Sequence, residues 1–341
     1  GVSDTRRSLY FSLHLYIWIK SARKTYRTPT YKDKIKINSS YIIPAMLNIL
    51  MKEVYYFLKR IVDSYGYMRF IKKSRICVKD TQETINYILN NRVSVSRFGD
   101  GEYRVMNHSG NGFQEPDNML ALRLKEVLNS NLSNHIICLP YAYVSVKHMT
   151  ADARGFWYPF CGSYKDFILK ITNPDKIYYD TNFTRFYMDM KDKKRVDEIV
   201  LRLKKIWDQR DLFIIEGEFS RLGVGNDLFD NARSIKRIIA PSKNAFEKYD
   251  QILTVAINVI PKDALILCAL GMTATVLCYD LARKGFQAID IGHIDVEYSW
   301  YRMGAIKKCP VPGKAVNEIN AYPANRDCSD DSYKQAIIAK I

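Results

Sequence analysis

A chain of 341 residues can bury a large core, as one domain with an appendage or as two domains. A hydrophobic content of 47% excludes a disordered chain. The net charge of +16 points first to nucleic acid, but residues 1–76 hold 16 Lys and Arg against 4 Asp and Glu, while the other 265 hold 36 against 32. The body is nearly balanced, and nucleic acid is not the expected partner.

Residues 1–76 read as a basic, aromatic-rich helical arm. Leu9 to Ile19 is an apolar-aromatic patch, too short for the ~20 apolar residues of a membrane span. A basic run follows, with Lys20, Arg23, Lys24, Arg27, Lys32, Lys34 and Lys36. A second apolar stretch, Tyr41 to Leu58, is interrupted by Pro44, Lys52 and Glu53. Basic and aromatic residues together fit a helix lying on an anionic membrane surface. A helical hairpin packed on the body or on a second subunit of a homo-oligomer fits as well.

Alternating helices and strands begin near residue 77. Helices are predicted at 80–91, 117–130, 193–208 and 273–284. Strands are predicted at 93–98, 136–140, 212–215, 237–240, 264–270 and 287–291. This alternation implies an α/β, Rossmann-like fold: a mostly parallel sheet with helices on both faces, over residues 77–322. Residues 323–341 read as a tail. The seven Cys form no Cys-x-x-Cys pair, and Cys268 and Cys278 look like core residues. This fits a reducing, cytoplasmic compartment, with the arm on the inner face of a membrane.

Ligands of open α/β sheets bind at the carboxyl ends of the strands. Four such ends carry polar or glycine-rich sequence. The first is Arg97-Phe98-Gly99-Asp100-Gly101-Glu102, read as a tight loop in which Asp100 and Glu102 converge on one divalent cation. A plain Asp-Gly turn also explains it. The second is Glu216-Gly217-Glu218, leading to Arg221-Leu222-Gly223-Val224-Gly225-Asn226-Asp227 and a short helix. Its glycines, Arg221 and a helix N-terminus suit phosphate, and a capping loop suits them too. The third is Gly271-Met272-Thr273, a close backbone approach followed by a hydroxyl. The fourth is Asp290 to Tyr298. If it is extended, His293, Asp295 and Glu297 share a face and supply a general base. If it is helical, His293 and Glu297 become i,i+4 neighbours.

These blocks, together with Arg237 to Phe246, occur in the order seen in GT-D-type bacterial glycosyltransferases, which residues 77–320 resemble. The resemblance implies a nucleotide-sugar donor, typically a UDP-sugar, and a divalent metal, Mn²⁺ or Mg²⁺, at an Asp-x-Glu motif. Asp100 and Glu102 match that motif. Arg97, Gly99, Glu218, Arg221, Gly223, Asn226, Asn244, Gly271 and Thr273 fall in blocks expected to line the donor pocket. Asp295 and Glu297 are the base candidates, with His293 as orienter or alternative. Ser299 stands where the family often has an acidic residue. The implied acceptor is a hydroxyl of a surface glycan, lipid-linked in many such pathways, or of a glycoprotein. Two other classes share these features: a different nucleotide-dependent transferase, and a non-catalytic scaffold using the basic arm.

Overall fold

The computed structural model describes residues 39–341 apart from 111, 113 and 324–326. The first aromatic patch and the basic run therefore lie outside the described residues. The chain divides into two units, residues 1–62 and 63–341. Helix α1, Ser39–Lys73, runs through the division. No helix among the described residues is long and apolar enough to cross a membrane.

The second unit is an α/β fold built on nine parallel strands. They are β1 Cys77–Val78, β2 Ser94–Arg97, β3 His135–Leu139, β4 Ile177–Asp180, β5 Asp211–Gly217, β6 Ser234–Ala240, β7 Leu265–Ala269, β8 Gln287–Asp290 and β9 Ile337–Lys340. Their order is β1-β4-β3-β2-β8-β7-β5-β6-β9. The sequence marks the central strands because both of their faces are buried. In β3, Ile137 and Leu139 enter one core while Ile136 and Cys138 enter the other.

Helices cover both faces. On the first lie α4 Asn118–Asn129, α8 Tyr249–Val259 and α9 Met272–Arg283, preceded in the chain by the short α3, Asp100–Met106. On the second lie α2 Thr81–Asn91, α7 Val196–Trp207 and α10 Ile294–Arg302. Asp80 caps α2, and Glu83 completes its capping box. The chain leaves β2 toward the first face and its neighbour β8 toward the second. Adjacent strands whose exits diverge leave a crevice at their carboxyl ends.

The body begins inside α1, where Tyr67 and Phe70 are buried and the Tyr67 hydroxyl donates to the Ala142 carbonyl at 2.9 Å. The expected tail adds a strand: β9 pairs in parallel with β6, after the short helix α11, Asp331–Ala336. Such a two-part ending of six and four residues carries too little periodicity to be read from sequence. Helices α5, Ala151–Ser163, and α6, Lys165–Ile171, complete the body.

In α5, Gly162 lies against Gly66 of α1, and a Cβ added to Gly162 would meet Gly66 Cα at 3.5 Å. That is ordinary van der Waals contact, with no room for more. Gly162→Ala is expected to change the urea midpoint little. Gly162→Leu is expected to cost about 1–3 kcal/mol through overpacking.

Candidate active site

Arg97 ends β2 and turns its guanidinium across the crevice. It donates to Thr184 Oγ1 at 2.7 Å and to Asp290 Oδ1, at the end of β8, at 3.0 Å. Gly292 makes this possible. Its φ is +44°, and a Cβ there would lie 1.9 Å from an Arg97 nitrogen. Thr275, on α9, donates to the Arg97 carbonyl at 2.9 Å and lies 3.4 Å from both Glu102 Oε1 and Asp290 Oδ2. Arg97, Glu102, Thr275 and Asp290 thus form one buried polar cluster.

The block after β2 is a helix rather than a loop. Glu102 stands at the third position of α3 and accepts the Gly99 N–H at 2.6 Å, half of a capping box. Burial pushes the Glu102 carboxyl up to about 7; the Gly99 N–H pulls it back, and Asp290 adds to the rise. Asp100 opens the same helix, is half-buried, and pairs with Arg104 at 3.1 Å. Residues two apart on a helix do not face each other. The expected convergence of Asp100 and Glu102 is therefore absent, and the pair does not fit a shared two-carboxylate chelate. Among the described residues, no group of three or more His, Cys, Asp or Glu could hold a metal ion.

The loop after β5 forms turns, without the expected short helix. Glu216 is fully buried, pairs with Arg237 and accepts the Leu222 N–H at 2.7 Å. Burial raises its carboxyl, and Arg237 opposes the rise. Asp295 holds the other end of the loop. Its Oδ1 accepts Gly223 N–H and Asn226 Nδ2, each at 2.8 Å, and its Oδ2 accepts from Lys314. Gly223 has φ +78°, and a Cβ there would meet the Phe229 ring at 2.7 Å. Arg221 is buried and donates to the Gly313 carbonyl at 2.9 Å. Glu218 is exposed on the turn. Asn244, at φ +48°, accepts the Glu115 N–H at 3.0 Å. Gly271 begins α9 at φ +54°, and Thr273 in its first turn is fully buried with no partner on its hydroxyl.

The fourth block is helical, so its three ionisable groups do not share a face. His293 caps α10, and its ring is 30% exposed. Asp295 is 2% exposed, with both oxygens occupied. Glu297 is 0% exposed and accepts the N–H groups of Tyr187 and Met188 at 3.1 and 2.9 Å. Burial pushes Glu297 up to about 7, against the pull of Arg185. Of the three, only His293 is open to a substrate.

Asp290, Thr275, Arg185, Glu216 and Arg237 are members of this architecture that sequence reasoning did not single out. Asp290 had a signal: it is the first charge after the apolar pair Ala288-Ile289 on a strand end. Arg185 had none, because its segment shows neither helical nor strand period.

The model of the glycosyltransferase GT-D fold family matches residues 95–319. The chain belongs to that family. Glycosyltransferase GlyD of Streptococcus pneumoniae serotype 4 is 39% identical over 267 residues, 78% of this chain and 33% of that protein. The "Probable glycosyl transferase Gly" of Streptococcus gordonii is 38% identical over 271 residues, 79% of this chain and 39% of that protein. The chain thus spans between a third and two fifths of these curated relatives. A solved structure described as the highly conserved domain of unknown function 1792, with a distinct glycosyltransferase fold, is 39% identical. It covers 82% of this chain and 99% of its own, with a TM-score of 0.77. In this GT-D domain the carboxyl ends of β2 and β8 are joined by the Arg97–Asp290 pair, and α10 starts just beyond β8.

The raised Glu297 carboxyl has a consequence for stability. It titrates near 7 when folded, against 4.5 ordinarily, so the folded state holds the proton more tightly between those values. Its contribution is present below about pH 4.5 and is lost as pH rises to 7. The stability of Glu297→Gln relative to the unsubstituted protein should therefore rise by on the order of 3 kcal/mol between pH 5 and 8. Urea midpoints across that range check this; a constant difference refutes it.

Proposed function

We propose that this GT-D domain transfers a sugar from a nucleotide-sugar donor, a UDP-sugar, to a hydroxyl of a bacterial surface glycan or glycoprotein. Two features at the carboxyl edge support a diphosphate there. The 12-residue helix α9 follows Gly271 directly at the end of β7, and a helix N-terminus at a strand end is a good environment for phosphate. Arg97, at the end of β2 and separated from β7 by β8, supplies a fixed guanidinium held by Asp290.

The single observation that carries the mechanistic reading is the exposure of the three base candidates: 30% for the His293 ring, against 2% for Asp295 and 0% for Glu297. In an inverting transfer, His293 accepts the proton of the acceptor hydroxyl as its oxygen attacks the anomeric carbon. The bond from that carbon to the diphosphate oxygen breaks, and the electron pair leaves with the diphosphate. Asp295 and Glu297 fix the surrounding loops. No step is assigned to a metal ion, because Asp100 and Glu102 do not face one another.

UDP release from UDP-glucose, UDP-galactose and UDP-N-acetylglucosamine, with and without Mn²⁺, tests this reading. His293→Gln should lower the rate by roughly 10²- to 10⁴-fold, the usual worth of a general base. Asp295→Asn should instead lower the melting temperature. Failure of every sugar to release UDP, with no calorimetric binding of UDP, overturns the donor assignment. Unchanged activity in His293→Gln overturns the base.

We further propose that the arm contacts an anionic membrane surface. Met51, Val54, Tyr55, Tyr56, Phe57 and Leu58 of α1 are exposed, on a stretch with a strong excess of Lys and Arg. The protein should sediment with phosphatidylserine vesicles at low salt and not with phosphatidylcholine vesicles. Replacing Tyr55, Tyr56 and Phe57 with Ser should weaken this. Equal sedimentation with both vesicle types would argue against an electrostatic surface role.

A further inference from the structure

His293 has a buried ring nitrogen, Nδ1, with no hydrogen-bonding partner in good geometry. The nearest acceptor is Glu318 Oε1 at 3.4 Å. Glu318 lies in a short helical turn, Asn317–Ile319, closed by paired backbone hydrogen bonds between Val316 and Ala321. Its Oε1 also meets Arg185 at 2.8 Å, and its Oε2 meets Lys308. Arg185 is held in turn by Asp189 at 3.2 Å. Burial alone would raise the Glu318 carboxyl; Arg185, and then His293, outweigh it and hold Glu318 well below the usual carboxylate range.

An ionised carboxylate is an acceptor only, so the nitrogen that faces it carries the hydrogen. A neutral His293 hydrogenated at Nδ1 keeps its lone pair on Nε2. We propose that Glu318 is the positioning residue of His293: it fixes the Nδ1–H tautomer and leaves Nε2 to take the proton of the acceptor hydroxyl. This rests on the reading of His293 as the base. The charged groups around the ring are Glu318, Arg185, Lys308 and Asp189 in this cluster, Glu297 on α10, and Asp290 with Arg97 on the strand ends. Arg185 and Lys308 offset most of the charge of Glu318.

The tautomer can be read directly in the unsubstituted protein. Long-range ¹H–¹⁵N spectra of ¹⁵N-histidine-labelled protein, with His293 assigned by the His293→Gln difference, should show the hydrogen on Nδ1. A hydrogen on Nε2 overturns the proposal. In UDP release from the best sugar of the panel, Glu318→Gln should lower kcat at least about 10-fold, part of what a general base supplies. Donor KM should be unchanged. The acid limb of the pH profile should move to lower pH, since two cations then face the ring without a counter-charge. Glu318→Asp should recover part of kcat. An unmoved limb in a Glu318→Gln protein that melts like the original overturns the positioning role alone. Full activity in His293→Gln overturns the base reading, whatever the tautomer.

Discussion

The carboxyl edge of this sheet depends on buried carboxylates that accept main-chain N–H groups. Irregular loops carry donors that no strand or helix satisfies, and a buried donor without a partner costs about 1–3 kcal/mol. Glu102 accepts from Gly99, Glu216 from Leu222, Asp290 from Gly292, Asp295 from Gly223, and Glu297 from Tyr187 and Met188. A buried carboxylate in turn needs a countercharge. Arg237 serves Glu216, Arg97 serves Asp290, and Lys314 serves Asp295. Glu102 has no such direct partner, and burial lifts its carboxyl to about 7. The loops are therefore tied down by charge pairs whose partners stand on different elements.

This arrangement separates acids that build the site from groups that can react. A carboxylate with both oxygens engaged cannot take a proton from a substrate without releasing its loop. Asp295 would free Gly223, Asn226 and Lys314 together. Glu297 holds the segment at Tyr187 and Met188 through Oε2 alone; its Oε1 is unpartnered but fully buried, so it is burial that keeps this carboxyl from a substrate. His293 holds no loop through its ring, and its Nδ1 faces a single carboxylate. Proton transfer at that ring leaves the architecture in place.

Much of the sheet is legible in the sequence because parallel strands buried on both faces are continuous apolar runs. Leu265 to Ala269 and Leu212 to Ile215 are clear examples. The edge strands are not, since two residues in β1 and a half-exposed β9 carry no period. The strand ends are legible as places, through their glycines and acids, but less so as roles. Asp100-Gly101-Glu102 reads as a turn until Glu102 is seen to cap a helix. His293 to Glu297 fits two periods over five residues, and the Glu297 N–H, which donates to the His293 carbonyl at 3.0 Å, shows the segment to be helical. Long-range pairs such as Arg97 with Asp290 lie 193 residues apart and have no local signature.

The position of Gly292 links these points. The guanidinium of Arg97 occupies the space that a Cβ at 292 would need. Any other residue there would push Arg97 away from Asp290 and Thr184, and the ends of β2 and β8 would lose their shared charge pair. The same residue, at φ +44°, turns the chain from β8 toward the second face and delivers His293 to the head of α10. One backbone conformation thus sets both the fixed cation of the crevice and the approach of its open imidazole. A donor diphosphate near Arg97 and an acceptor hydroxyl near His293 would meet across that glycine, at the point where the exits of two adjacent strands diverge.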